Sequence, residues 1–170
     1  KDAVKAGRVF ITSGPIIGLK INGRELGETV HLPAGGGEIE IEAEAASPVG
    51  LRALELVLHG KVLPLQPEQS VVDGVHRWRL SHRLHITEST WIAARCRGEP
   101  IQALRTAALE PVPWHCREAV AHTAAMRVLV GDAPVRSHED EVWLLDHLAK
   151  PTAVTARCYK GKAVTACRCR

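Results

Sequence analysis

The sequence predicts a mainly β chain, a two-layer antiparallel β-sandwich of immunoglobulin-like architecture with one C-terminal α-helix. Three observations carry that expectation. From Gly37, "GEIEIEAEA" places Ile39, Ile41, Ala43 and Ala45 on one side and four glutamates on the other, the period-2 pattern of a strand with one wet face. From His76 to Thr87 the alternation recurs, with Trp78, Leu80, His82, Leu84 and Ile86 facing one way and Arg77, Arg79, Ser81, Arg83 and His85 the other. Short apolar runs between Gly- and Pro-containing breaks, with little helical periodicity, complete the pattern of a sandwich.

Taken in order, "KDAVKAG" reads as the end of a helix capped by Gly7, and so as the start of a piece of something longer. "RVFITSG" and "IIGLKI" follow as short strands. "INGR" at 21 to 24 offers the positive dihedrals of a type I′ hairpin, and "LHGKV" at 58 to 62 repeats the device with His59-Gly60. "LPAGGGE" at 32 to 38 reads as a flexible hairpin loop. "ALELVL", "KVLPL", "TWIAARC" and "AMRVLV" supply the remaining strands. In "SHEDEVWLLDHLAK", Ser137 is the expected N-cap, acids fill the first turn, Val142, Leu145 and Leu148 share a face, and Pro151 ends the helix. The expected organisation is a sandwich with its helix over 1–150 and a basic tail over 151–170. There "AVTARC" and "AVTACRC" recur ten residues apart, as a hairpin or as disordered chain.

At 170 residues the chain is one ordinary domain, long enough to bury roughly 70% of the surface it would expose unfolded. With 45% hydrophobic and 24% charged residues it falls among soluble globular proteins, and no apolar run reaches the length of a membrane span. The net charge of +3 becomes −2 once the five basic residues of 151–170, which no acid accompanies, are set aside. A nucleic-acid footprint needs a basic stripe with stacking aromatics, which the body lacks, so nucleic acid is not an expected partner. Cys96, Cys116, Cys158, Cys167 and Cys169 fit no zinc-finger or disulfide framework; mostly free thiols in a reducing, cytoplasmic compartment are expected. No charged-then-apolar leader precedes the first element, so the expectation is that a secretory signal is either absent or already removed.

The densest group of chemistry-bearing side chains is "WHCREAVAHTA", Trp114 to Ala124. Were it helical, Glu118 and His122 would share a face, and His115 with Cys116 could complete a zinc set. Pro111 and Pro113 instead impose extended backbone, so a loop leading into a strand is the preferred reading. His115, Glu118 and His122 remain the alternative metal set, and no metal is expected in this chain. Trp114, in its Pro-flanked loop, is open to stacking on a ligand. Arg95 falls on the same side of its strand as Trp91, placed to stack on the indole, to pair with a carboxylate or to reach a ligand. The ligand-binding candidates are therefore Trp91, Arg95, Trp114, His115 and His122. His82 and His85, an odd offset apart, point to opposite faces, and His82 reads as a hydrogen-bonded core residue. "ITSGP" lacks the spacing of a phosphate loop, and no G-x-S-x-G elbow or other paired spacing marks a nucleophile, so no catalytic residue is assigned.

In order along the chain stand "AGRVFITSGP" (6 to 15), "INGRELGETV" (21 to 30), "LRALELVLHGKVL" (51 to 63), "TWIAARCRG" (90 to 98), "AHTAAMRVLVGDAPV" (121 to 135) and "SHEDEVWLLDHL" (137 to 148). This succession resembles the region that follows the catalytic domain in PHP-type metallohydrolases of the carbaryl-hydrolase kind, the CehA/McbA family. It covers about residues 1 to 149, and its order and spacing, rather than any one motif, carry it. The resemblance implies that hydrolysis belongs to an upstream PHP domain that holds divalent metals and begins with an H-x-H pair. None of the nine histidines here forms such a pair. The expectation is a non-catalytic companion, without cofactor of its own, whose partner is a PHP-type domain in cis or trans, or another copy of itself. The alternatives are a free-standing sandwich that binds carbohydrate or peptide, and a small zinc hydrolase.

Overall fold

The computed structural model describes residues 1–100 and 118–149. The chain divides into two compact units, Lys1–Val135 and Arg136–Arg170. The first is a β-sandwich. One sheet has the order β2 (Ile16–Ile21), β4 (Gly37–Ser47), β8 (Val75–Ile86), β7 (Glu68–Val72). The other is built around β9 (Thr90–Pro100). On one side β9 pairs with β5 (Leu51–Leu58), which carries the two-residue β6 (Lys61–Val62). On its other side lie β10 (Glu118–Thr123) and β11 (Met126–Val130) in succession, flanked by β1 (Phe10–Thr12) and β3 (Thr29–Leu32). The orders β2-β4-β8-β7 and β5-β9-β10/β11 are those of strands A-B-E-D and C-F-G in an immunoglobulin fold.

Alternation places the core. Ile39, Ile41, Ala43 and Ala45 of β4 are buried while Glu38, Glu40, Glu42 and Glu44 are exposed, and Trp78, Leu80 and Ile86 of β8 join them inside. Leu54 and Leu56 of β5, Ile92, Ala94 and Cys96 of β9, and Met126 and Val128 of β11 close the core from the opposite sheet. Each of the isoleucines, leucines and valines and Met126 contributes about 1.5–3 kcal/mol by leaving water. His82 lies on the inward side of β8, half-buried.

The turns are partly as the sequence predicts. His59 and Gly60 have φ of 46° and 85° and join β5 to β6 as a type I′ hairpin. Asn22 and Gly23 have φ of 51° and 72°, but the chain forms only a single bridge, Ile21 to Arg24, before it crosses to the other sheet as β3. β3 runs parallel to β11, an arrangement a hairpin cannot make. "LPAGGGE" likewise joins β3 to β4 of the opposite sheet instead of closing a hairpin. Gly36 there has φ of 80°, and a Cβ would run into the carbonyl oxygen of Ile86. Asp73-Gly74 forms a further hairpin of the same kind between β7 and β8, an element the periodicity did not reveal.

Near the N-terminus, α1 (Asp2–Lys5) ends as its sequence predicts: the N–H of Arg8 donates to the Ala3 carbonyl and that of Gly7 to the Val4 carbonyl, a Schellman closure around Gly7 at φ 71°. In the second unit, α2 (His138–Ala149) starts at Ser137, whose Oγ accepts the N–H of Asp140 at 3.2 Å. The 151–170 tail lies outside the described residues. No helix among the described residues is long and apolar enough to cross a membrane.

Candidate functional site

The outer face of the β9 sheet collects the described candidate residues. Along β9, Ile92, Ala94 and Cys96 point inward, so Trp91, Ala93, Arg95 and Arg97 face out. β10 has the same alternation, with Ala119 and Ala121 buried and Glu118, Val120 and His122 outward. Pairing then sets these residues in rows. Glu55 of β5, Arg95 of β9, His122 of β10 and Ile11 of β1 are opposed across four strands. A second row, at the other end of β9, holds Trp91, Arg127 and Thr29, with His59 beside the indole at a ring-centroid distance of 6.2 Å. Half-buried Val57 and Ala93 lie between the rows.

The charges in the first row are committed. Arg95 Nε donates to Glu55 Oε2 at 2.6 Å, and Arg97 Nη2 stands 3.6 Å from Glu55 Oε1. Of the three fates the sequence offers Arg95, the structure gives it the carboxylate partner; the Trp91 indole has the His59 ring for a neighbour. Nearby, Arg52 grips Glu99 with two bonds, of 2.8 and 2.6 Å. The hydrogen bond from Arg52 holds the Glu99 carboxyl below its usual range, and the same bond raises the Arg52 guanidinium. His122 donates Nδ1–H to the Thr123 carbonyl at 3.3 Å, which leaves Nε2 to face outward.

β10 is extended, so Glu118 and His122, four residues apart, share a face but stand about 13 Å from each other. A zinc ion needs its ligands within about 2.3 Å, so these two cannot serve one ion. Among the described residues no group of three His, Cys, Asp or Glu gathers in a metal-holding arrangement. Trp114 and His115 lie outside the described residues. The arrangement is thus an amphipathic sheet face, with an aromatic pair at one end and closed ion pairs at the other.

Sequence reasoning did not select Glu55, Arg97, His59 or Arg127. Glu55 was readable as an outward residue from "ALELVL", where Leu54 and Leu56 are buried on either side of it. Its role follows only from the pairing of β5 with β9.

The two sheets define an immunoglobulin-like, mainly antiparallel β-sandwich. No protein-family model, no curated protein and no solved structure matches the chain.

Proposed function

We propose that this chain is a non-catalytic β-sandwich module that accompanies a PHP-type metal-dependent hydrolase domain, and that it packs against that domain through the outer face of the β9 sheet. The observation that carries the reading is the state of that face: its carboxylate Glu55 is held by Arg95 and Arg97, and its histidines stand in separate rows. A catalytic carboxylate needs a free lone pair and a nearby proton-transfer partner. A docking face needs an apolar centre and satisfied polar groups around it; Val57 and Ala93 supply the first, flanked by Trp91 on one side and the ion pairs on the other. The ordered resemblance described above names the partner.

The test has two arms. In the first, the purified chain is assayed for bound divalent metal and for ester, carbamate and phosphoester hydrolysis. Stoichiometric metal or turnover lost on changing His122 would overturn the reading. In the second, the chain is mixed with a PHP-type domain of the carbaryl-hydrolase kind and followed by sedimentation. A complex weakened at least tenfold by Trp91→Ala and by Arg95→Glu is expected, with magnitudes typical of an interface anchor. A second reading, a free-standing binder of carbohydrate or peptide, draws on the half-buried Trp91 beside His59, since an indole face stacks on sugar rings. Saturable quenching of tryptophan fluorescence by oligosaccharide, absent from Trp91→Ala, would favour it.

A further inference from the structure

We infer that two copies of this chain pair edge to edge through β7, antiparallel about a two-fold axis at Ser70, so that their four-stranded sheets join into one. The surface lies on the other sheet from the docking face described above, and the inference does not depend on the accessory-module reading.

β7 is an end strand of its sheet, pairs only with β8, and is exposed at every one of its residues. Asp73 and Gly74, with φ of 51° and 75°, close the hairpin as a two-residue type I′ turn, whose flanking pair, Val72 and Val75, is the hydrogen-bonded one. The register runs unbroken from there to Glu68, so Ser70 and Glu68 also turn their backbone to β8. Gln69 and Val71 therefore aim their N–H and C=O groups at the open side. Neither residue has a backbone partner there among the described residues.

Natural sheets blunt such an edge with lysine, proline, a bulge or a covering segment. From Gln69 to Val72, β7 has no charge, no proline and no bulge. Valine instead stands exposed on both faces of the strand: Val71, on the side of Trp78, is 61% exposed, and Val72, on the other side, 51%. An unguarded edge with free rungs and apolar side chains is a template for another strand, and the second copy brings one of the same kind.

Self-pairing fits in one register. With Ser70 opposite Ser70 of the second copy, Gln69 of each chain faces Val71 of the other, and every outward rung is used. Glu68 then faces Val72 of the second copy, so the two Glu68 carboxylates stand at opposite ends of the contact, roughly 14 Å apart along the strands. Sliding by one rung in one direction sets Pro67, which has no N–H, opposite Val71. Sliding the other way sets Asp73, whose φ of 51° takes it out of the strand, opposite Gln69. The assembly stops at two, because a two-fold pairing consumes the same edge of both copies. At the far end of each sheet, Ile17 and Leu19 of β2 are only 3% exposed, closed to a further strand. So short a contact buries less than a permanent dimer does, and the equilibrium is weak and set by protein concentration.

The full chain, kept reduced so that its cysteines form no cross-link, should be followed by sedimentation equilibrium and amide hydrogen exchange from about 10 µM to about 1 mM, the range of a weak contact. The expected result is passage from monomer to dimer and no further. Protection of the Gln69 and Val71 amides should rise about threefold or more with concentration, while Ser70 and Val72, already bonded to β8, change less. Val71→Pro removes an outward N–H that the fold does not use; it should weaken the dimer about tenfold or more with far-ultraviolet circular dichroism unchanged. Ser70→Lys and Ser70→Glu each set like charges across the axis and should stay monomeric, whereas an equal mixture of the two should associate. A chain monomeric throughout the range, growth past the dimer, indifference to Val71→Pro, a mixture no tighter than its components, or protection centred on β1 would each overturn the inference.

Discussion

Cys96 is 1% exposed in the centre of the β9 sheet, and burial pushes its thiol up to about 11 from the usual 9.0, partly offset by a hydrogen bond with the Ala121 backbone. The sign of the consequence follows from which state ionises first. Below pH 9 the thiol is protonated in both the folded and the unfolded chain, and its contribution is complete. Between about 9 and 11 the unfolded chain loses the proton while the folded one keeps it, so stability falls as pH rises through that window. Urea midpoints measured across it should decline for the wild type and decline less for Cys96→Ala, a comparison that cancels the other titrating groups. Arg95 is instructive at the same scale: spacing alone put it on the face of Trp91, but its partner proved to be Glu55, forty positions earlier in the chain.

Among the elements, the junction between β10 and β11 is the clearest departure from the sequence reading. The sequence reading makes "AMRVLV" a strand entered from a loop, yet Glu118–Thr123 is a strand of its own and the chain breaks at Ala124-Ala125, where the Ala124 N–H turns away to the Val9 carbonyl. The break leaves Ala94, paired with Leu56 on one side, without a ladder partner on the β10/β11 side, and the hydroxyl of the buried Thr123 accepts its N–H at 3.0 Å. Thr123→Val keeps the shape and removes the acceptor. It should cost about 1–3 kcal/mol in urea unfolding, the penalty of an unsatisfied buried donor, while Thr123→Ser retains most of the bond. A similar repair operates at the bulge between Glu118 and Val120, where the Ser13 Oγ accepts the Val120 N–H at 2.9 Å and donates to the Glu118 carbonyl. "SGP" thus proves to be a clamp between strands, a role consistent with its reading as a turn and invisible in its composition.

For the whole molecule, the division after Val135 separates a sandwich with its own continuous core from a unit whose described helix leaves Val142 and Leu145 more than half exposed. A chain that ends at Val135 should keep the β-type circular dichroism and a single cooperative melt, because the clustered core residues all lie before that point. Loss of cooperativity on truncation would mean that the core depends on 136–170. The proposed partner surface belongs to this scale too, since it exists only where several strands meet.

Alternation and turn chemistry were sufficient, by themselves, to determine the fold class, the faces of β4 and β8, the hairpin at His59-Gly60, the cap at Gly7 and the start of α2. These features rest on interactions within a few residues, so a local stretch carries all the information they need. Tertiary structure alone decided that β3 crosses to run parallel to β11, that Glu55 neutralises Arg95, and that Thr123 closes a break. Each depends on which distant segments lie side by side and in what register, and in a sandwich that choice is made by burial of both inner faces at once, which no single strand's sequence encodes.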